Sequence, residues 1–201
     1  MTNSEIAFNP NTPKDILVAL SKSGGECTRS AIAWSTNTPK DILIALSKDD
    51  SECVRSHVAA NPTTSEDILI ALSEDPSEEV RESIATNNGN ISESVLRILY
   101  KNSSKDIRRI IAVHPNTPKD VLIALSKDDS KYIRREVAWS TNTPKDILIA
   151  LSKDDSACVR GRVASNPNTP EDVLIKLSKD TGYPKEIAED NINSKYINKY
   201  T

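Results

Sequence analysis

The feature that most constrains this chain is a period. The pattern around NTPKDIL recurs with Thr12, Thr38, Thr64, Thr117, Thr143 and Thr169 in one column, at steps of 26 residues with one long step. From Thr64 to Thr117 the chain passes through two repeats plus one residue. The repeat between them, NGNISESVLRIL, puts Ile91 in the threonine column, and an insertion around Asn88–Asn90 accounts for the offset. The segment AWSTNTPKDILIALSKDD occurs twice, letter for letter, at Ala33–Asp50 and Ala138–Asp155. A catalytic centre needs its residues once. Repetition in phase is instead what a stacked fold demands, because no unit buries its apolar face alone and neighbours complete a continuous core.

Each repeat reads as two helices. In the first, Thr38 suits the N-cap, Pro39 the first helical position and Asp41 the first turn. Ile42, Leu43 and Leu46 then line one face, and Ile16, Leu17, Leu20 and Val121, Leu122, Leu125 fill the same columns elsewhere. In the second, Asp75, Pro76 and Glu78 of EDPSEEVRESIA suit the N-cap, first and capping-box positions. Val80, Ile84 and Ala85 face inward, and Asn87, or Asn61-Pro62 one repeat earlier, ends the helix.

VRSHVAANPTTSEDILIALSED and VRGRVASNPNTPEDVLIKLSKD carry the pattern VRxxVAxNPxTPxDVLxxLSxD. This resembles the leucine-rich repeat variant family, from about Glu5 to Asp180. The resemblance implies a right-handed superhelix of paired helical segments, grouped with armadillo and HEAT arrays, and implies no reaction. Family repeats are often shorter, with a weak second helix. The 26-residue period here leaves room for two α-helices, closer to HEAT.

Composition fits closely packed helices: hydrophobic residues make up 37% of the 201 and aromatics only 4%. No apolar run reaches the roughly 20 residues that span a bilayer, and the start, MTNSEIAFNPNTPKD, lacks a secretory pattern. Three cysteines are an odd number for a disulfide framework. The expectation is a soluble cytoplasmic protein. Net charge is −3, yet residues 1–101 carry 9 basic and 15 acidic side chains while residues 102–201 carry 17 and 14.

Arg29, Arg55, Arg81, Arg108, Arg134 and Arg160 form one column, and six residues before them stand Ser23, Asp49, Asp75, Asn102, Asp128 and Asp154. A guanidinium stripe for an anionic partner is one reading. An internal ladder is the favoured one, because a binding stripe would not need the same phase in all six repeats. Cys27, Cys53 and Cys158 share a column too widely spaced for disulfides and are expected to be small space-fillers. No CxxC or Cys/His metal cluster is present. Neither His57 nor His114 has a Ser or Cys partner evident in sequence, so no nucleophile–base pair is expected.

Trp34 and Trp139 occupy a column held elsewhere by Phe8, Ala60, Thr86, Val113 and Ser165. Two readings stand side by side: an exposed anchor for a partner, or a cover over the groove between repeats. Lys105, Arg109, Lys131, Arg135 and Arg162, with Tyr132 and Trp139 near them, form a basic strip where earlier repeats place Glu and Ser. Basic and aromatic residues together on a helical array are similar to HEAT-like DNA-repair glycosylases, but no catalytic acid can be named here.

The expectation is therefore an all-α solenoid of about seven repeats in one domain, 1–201. Residues 1–11 form a partial repeat, 12–180 the repeats and 181–201 a C-terminal cap. The expected function is non-catalytic binding of a protein or peptide by the second helices, as a monomer without cofactor or metal. The alternative is nucleic-acid or phosphate binding through the basic strip.

Overall fold

The computed structural model describes residues 2–87, 91–101 and 103–200, with the side chains of all but 4 and 195–200. The insertion Asn88–Asn90 and the column member Asn102 lie outside the described residues. The described chain is all α-helical, in two compact units, Met1–Ile107 and Arg108–Thr201. The first unit contains α1 (Asn3–Phe8), α2 (Lys14–Ser23), α3 (Glu26–Trp34), α4 (Lys40–Leu46), α5 (Glu52–Ala60), α6 (Glu66–Leu72), α7 (Glu78–Ala85) and α8 (Glu93–Lys101). The unit boundary falls within α9 (Lys105–Val113). The second unit continues with α10 (Lys119–Leu125), α11 (Lys131–Trp139), α12 (Lys145–Leu151), α13 (Ala157–Ser165), α14 (Glu171–Leu177) and α15 (Tyr183–Tyr200).

This is the expected order: a partial helix, six pairs, a seventh first helix and a cap. In the first unit α1, α3, α5 and α7 stack in series; in the second, α11, α13 and α15 do so. Each unit is thus a helical-repeat stack. Its core follows the expected columns from the second repeat on, with Ile42, Leu43, Leu46, Val54, Val58 and Ala59 buried and the same pattern one repeat later. In the first repeat Leu17 is buried, but Ile16 is exposed and Leu20 half-buried, because no full first helix stacks before α2. Both segments of each repeat are α-helical.

The helix ends differ from the sequence reading. Thr38 does not cap α4; Pro39 holds the N-cap position, with no side-chain cap bond. The Thr38 hydroxyl donates backward instead, to the Ile32 carbonyl of α3 at 2.6 Å. Thr64, Thr143 and Thr169 repeat this bond to Val58, Val137 and Val163, each at 2.6 Å. The column therefore joins the end of a second helix to the start of the next first helix, adding a second donor to a last-turn carbonyl that already accepts the C-cap N–H. Asp75 is not an N-cap either. Ser77 is the cap residue of α7, and Asp75 Oδ1 accepts from the Ser77 N–H in a tight turn at 2.9 Å.

A second set of bonds ties repeat to repeat. Asn61 is 1% exposed; its Nδ2 donates to the carbonyls of Ala33 (2.7 Å) and Ser35 (3.0 Å), and its Oδ1 accepts from the Thr63 N–H (2.9 Å). Asn166 repeats this with Ala138 (2.8 Å), Ser140 (2.9 Å) and the Asn168 N–H (2.9 Å). Of this column, the sequence marks Asn61 and Asn87 only as helix stops. Their recurrence in one phase was the available signal that they do more.

The cap keeps this bond but not the 26-residue register. On that register Lys185 and Glu186 would take the Val159 and Arg160 columns, and Glu189 and Asp190 would point inward. In the structure Pro184 and Ala188 are buried, and Asn191 Nδ2 donates to the Ala164 carbonyl at 2.8 Å. That is the Asn166 bond displaced by 25 residues. The turn before the cap is one residue shorter, and Gly182 takes it at φ 62°, a conformation that costs a glycine little. The residue dropped rotates α15 so that its charges face away from α13. Apolar residues Ile187, Ile192, Tyr196 and Ile197 are expected from the sequence to supply the inward face of this helix. Ile187 and Ile192 are half-buried, while the side chains of Tyr196 and Ile197 lie outside the described residues. At the start of α15 the Tyr183 ring occupies the space a Cβ on Gly161 would need.

Removing residues 184–201 uncovers the faces of α13 and α14 against which α15 packs. The truncated chain should associate in a concentration-dependent way on a sizing column. Unchanged elution and an unchanged melting curve would show the cap to be dispensable.

Candidate binding face on the second helices

The arginine column is an ion-pair ladder. Arg55 bonds Asp75 through two nitrogens (Nε 2.7 Å, a terminal nitrogen 3.0 Å), and its other terminal nitrogen donates to the Asp49 carbonyl at 2.8 Å. Arg29–Asp49, Arg134–Asp154 and Arg160–Asp180 repeat the fork. Arg108 reaches Asp128 at 2.7 Å. Each fork joins one repeat to the next, as the sequence reading favoured. Burial alone would raise the Asp75 carboxyl, but the Arg55 fork and the Ser77 N–H outweigh it and hold the group below the ordinary carboxylate range. Asp49 and Asp154 are held low in the same way. Arg81 is the exception: it bonds the Asp75 and Pro76 carbonyls, but its buried Nε has no partner among the described residues.

With the ladder, threonine and asparagine columns engaged internally, the tryptophan column remains. Trp34 is 52% exposed and Trp139 49%. Trp34 stands between two hollows. One, of about 320 Å³, is lined by Phe8, Cys27, Ser30, Ala31 and His57; the other, of about 470 Å³, by Thr36, Ala60, Pro62, Thr86 and Asn87. Trp139 borders a hollow of about 230 Å³ lined with Val113, Ser140, Thr141, Ser165 and Pro167. The two tryptophans sit in identical segments but meet different neighbours from the next second helix. His57 packs edge-on to Trp34, centroids 5.7 Å apart and rings at 84°. Arg162 places its guanidinium over Trp139, 4.6 Å from the ring centroid.

The basic strip is gathered in part. Lys131 and Arg135 of α11 both lie over Tyr132, at 5.4 and 5.7 Å from its centroid. The same helix carries Trp139, with Arg162 supplied by α13. Arg135 also holds Glu136 at 2.6 Å, so its charge is partly offset. Arg109 is exposed on α9. Lys105 and Trp34 belong to the N-terminal unit.

The cysteines are not space-fillers. Cys27 and Cys158 are exposed, because their column faces away from the core, and all three are free thiols. Cys53 lies one helical turn before His57, its Sγ 3.7 Å from Nδ1 and 3.6 Å from the Ser30 hydroxyl. This pair was missed, although i,i+4 spacing on one helix signals it. The same Nδ1 is 2.6 Å from the Cys53 carbonyl, so it donates there and is not the acceptor for the thiol proton. His114 Nδ1 instead accepts from the Asn116 N–H at 3.2 Å, and burial lowers its pKa. Among the described residues no group of three or more His, Cys, Asp or Glu is placed to hold a metal, and no helix is long and apolar enough to cross a membrane.

A solved leucine-rich repeat variant, described as carrying a novel repetitive structural motif, superposes with a TM-score of 0.69 at 22% identity over 89% of this chain and 71% of that one. The fold is that of a leucine-rich repeat variant. A designed armadillo repeat protein, described in complex with the peptide (KR)4, aligns over 96% of this chain and 99% of its own at 17% identity with a TM-score of 0.34. No family model and no curated protein matches the chain. Within this chain the recurrent geometry is the ladder and the core; the face of the second helices is where its repeats differ from one another.

Proposed function

We propose that this chain is a non-catalytic binding scaffold that holds a protein or peptide segment against its second helices. The observation that carries the reading is the pair of half-exposed tryptophans, each beside a hollow, on a surface whose other recurrent polar residues are engaged inside the stack. Large aromatic side chains next to unfilled space are the usual anchors of an interface. The positive charge of Arg109, Lys131 and Arg162 supports a second reading, attraction of an oligonucleotide backbone, which would appear as salt-sensitive affinity.

The test is a displayed random-peptide selection on the immobilised protein, followed by titration of the recovered peptides. Trp34→Ala or Trp139→Ala should weaken them by about tenfold or more while the melting curve stays near that of the parent. Failure to recover any peptide, or recovery of peptides indifferent to both tryptophans, would reject the scaffold reading.

A further inference from the structure

We infer that the face of the C-terminal unit takes an acidic, amphipathic peptide segment, with carboxylates on the outward edge of Arg162 and on Lys131, and an aliphatic side chain in the hollow beside Trp139. The inference rests on the reading of the second helices as a binding surface and adds the chemistry of the partner.

Duplication supplies an internal control. Ala33–Asp50 and Ala138–Asp155 are identical, so each tryptophan ends its helix and enters the same turn and next first helix. The helices that carry them, ECTRSAIAW and KYIRREVAW, differ upstream, and so does the residue 23 positions later, His57 in one case and Arg162 in the other. The surrounding columns change sign with it. Where the first three repeats place Glu26, Glu52 and Glu78, the fourth and fifth have Lys105 and Lys131 and the sixth Ala157; where the first three place Ser30, Ser56 and Glu82, the later ones have Arg109, Arg135 and Gly161. One scaffold thus presents its aromatic anchor in a cationic setting in the second unit.

Arg162 is also unlike the ladder arginines. Arg29, Arg55, Arg108, Arg134 and Arg160 are each tied to an aspartate. Arg162 lies over the indole and makes no hydrogen bond or ion pair with any described residue. A guanidinium over an aromatic face keeps in-plane N–H donors free, and that edge matches a carboxylate.

The same arrangement disfavours nucleic acid. Bases bind such surfaces by stacking on aromatic faces, but here the faces of Trp139 and Tyr132 already hold cations of the protein. A base would have to displace them, whereas a carboxylate leaves the cation–aromatic contact in place. The hollow of about 230 Å³, with Val113, Trp139 and Pro167 in its lining, offers an apolar seat that an aliphatic side chain fills and a sugar-phosphate chain does not.

The probes are labelled synthetic peptides read by fluorescence anisotropy: one alternating aspartate with leucine, one with asparagine in place of aspartate, one with lysine, and oligothymidylate. The aspartate peptide should bind, and Arg162→Gln should weaken it by about tenfold, as should the change to asparagine. Arg162→Lys, which keeps the charge and loses the fork, should fall between. Melting curves of the variants show whether the fold is retained. Equal binding of the aspartate and asparagine peptides, or tighter binding of the lysine peptide or oligothymidylate, overturns the inference. Peptides from the random selection that depend on Trp139 but show no acidic preference would overturn it too, leaving the scaffold reading intact. Absence of any peptide binding removes both.

Discussion

Replacing Asn61 by alanine should lower the unfolding free energy by about 3 kcal/mol. The asparagine is almost fully buried and its amide donates to two carbonyls of the preceding repeat, those of Ala33 and Ser35. Alanine removes both donors, so the Ala33 carbonyl loses its partner and the Ser35 carbonyl keeps only the Thr38 N–H. The turn at Thr63 also loses the oxygen that receives its N–H. Asn61→Ser should rescue little, because one short hydroxyl cannot span both carbonyls. Urea titration measures the effect. A loss within about 0.5 kcal/mol, the range of an ordinary surface change, would mean that the asparagine bonds are replaced by solvent.

Arg134→Ala should cost about 2–3 kcal/mol, toward or below the lower end for a broken buried pair because the arginine keeps some exposure. Asp154, whose side chain is 7% exposed, is left with the Ser156 N–H as its hydrogen-bond donor. The ladder also predicts an acid response. Asp49, Asp75, Asp154 and Asp180 have folded-state pKa values below the ordinary one. Their stabilisation is complete above the unfolded value of about 3.9 and is lost as pH falls through the depressed folded values. Stability should therefore be held near pH 5 and fall steeply below about pH 4. In Arg134→Ala the fall should be shallower, because Asp154 then returns toward its ordinary pKa. An identical acid profile in parent and variant would show that the ladder does not set it.

How much of this was legible beforehand differs by column. The apolar columns were read correctly because a residue such as Leu43 or Val58 has one way to leave water, and its period states the face. The arginine ladder was legible for a related reason: a charged group held in one phase over six repeats must satisfy a constraint that also repeats. The polar helix ends were read wrongly. Thr38 and Asp75 are good N-cap residues, but each has a competing bond, to Ile32 across the turn or to Ser77 within it. Propensity cannot rank bonds whose geometry depends on the adjacent helix. Asn61 was read as a stop, since its partners lie a full repeat away in sequence.

The sequence by itself determined the unit, its helix pairs, their number and the core columns, because all follow from local periodicity and burial. Only the tertiary structure decided which groups remain available at the surface. It turned the Cys27 column outward, moved α15 by one residue through Gly182, and set His57 against one tryptophan and Arg162 against its identical twin. Those outcomes depend on how neighbouring helices stack, and stacking brings together residues that no local pattern connects.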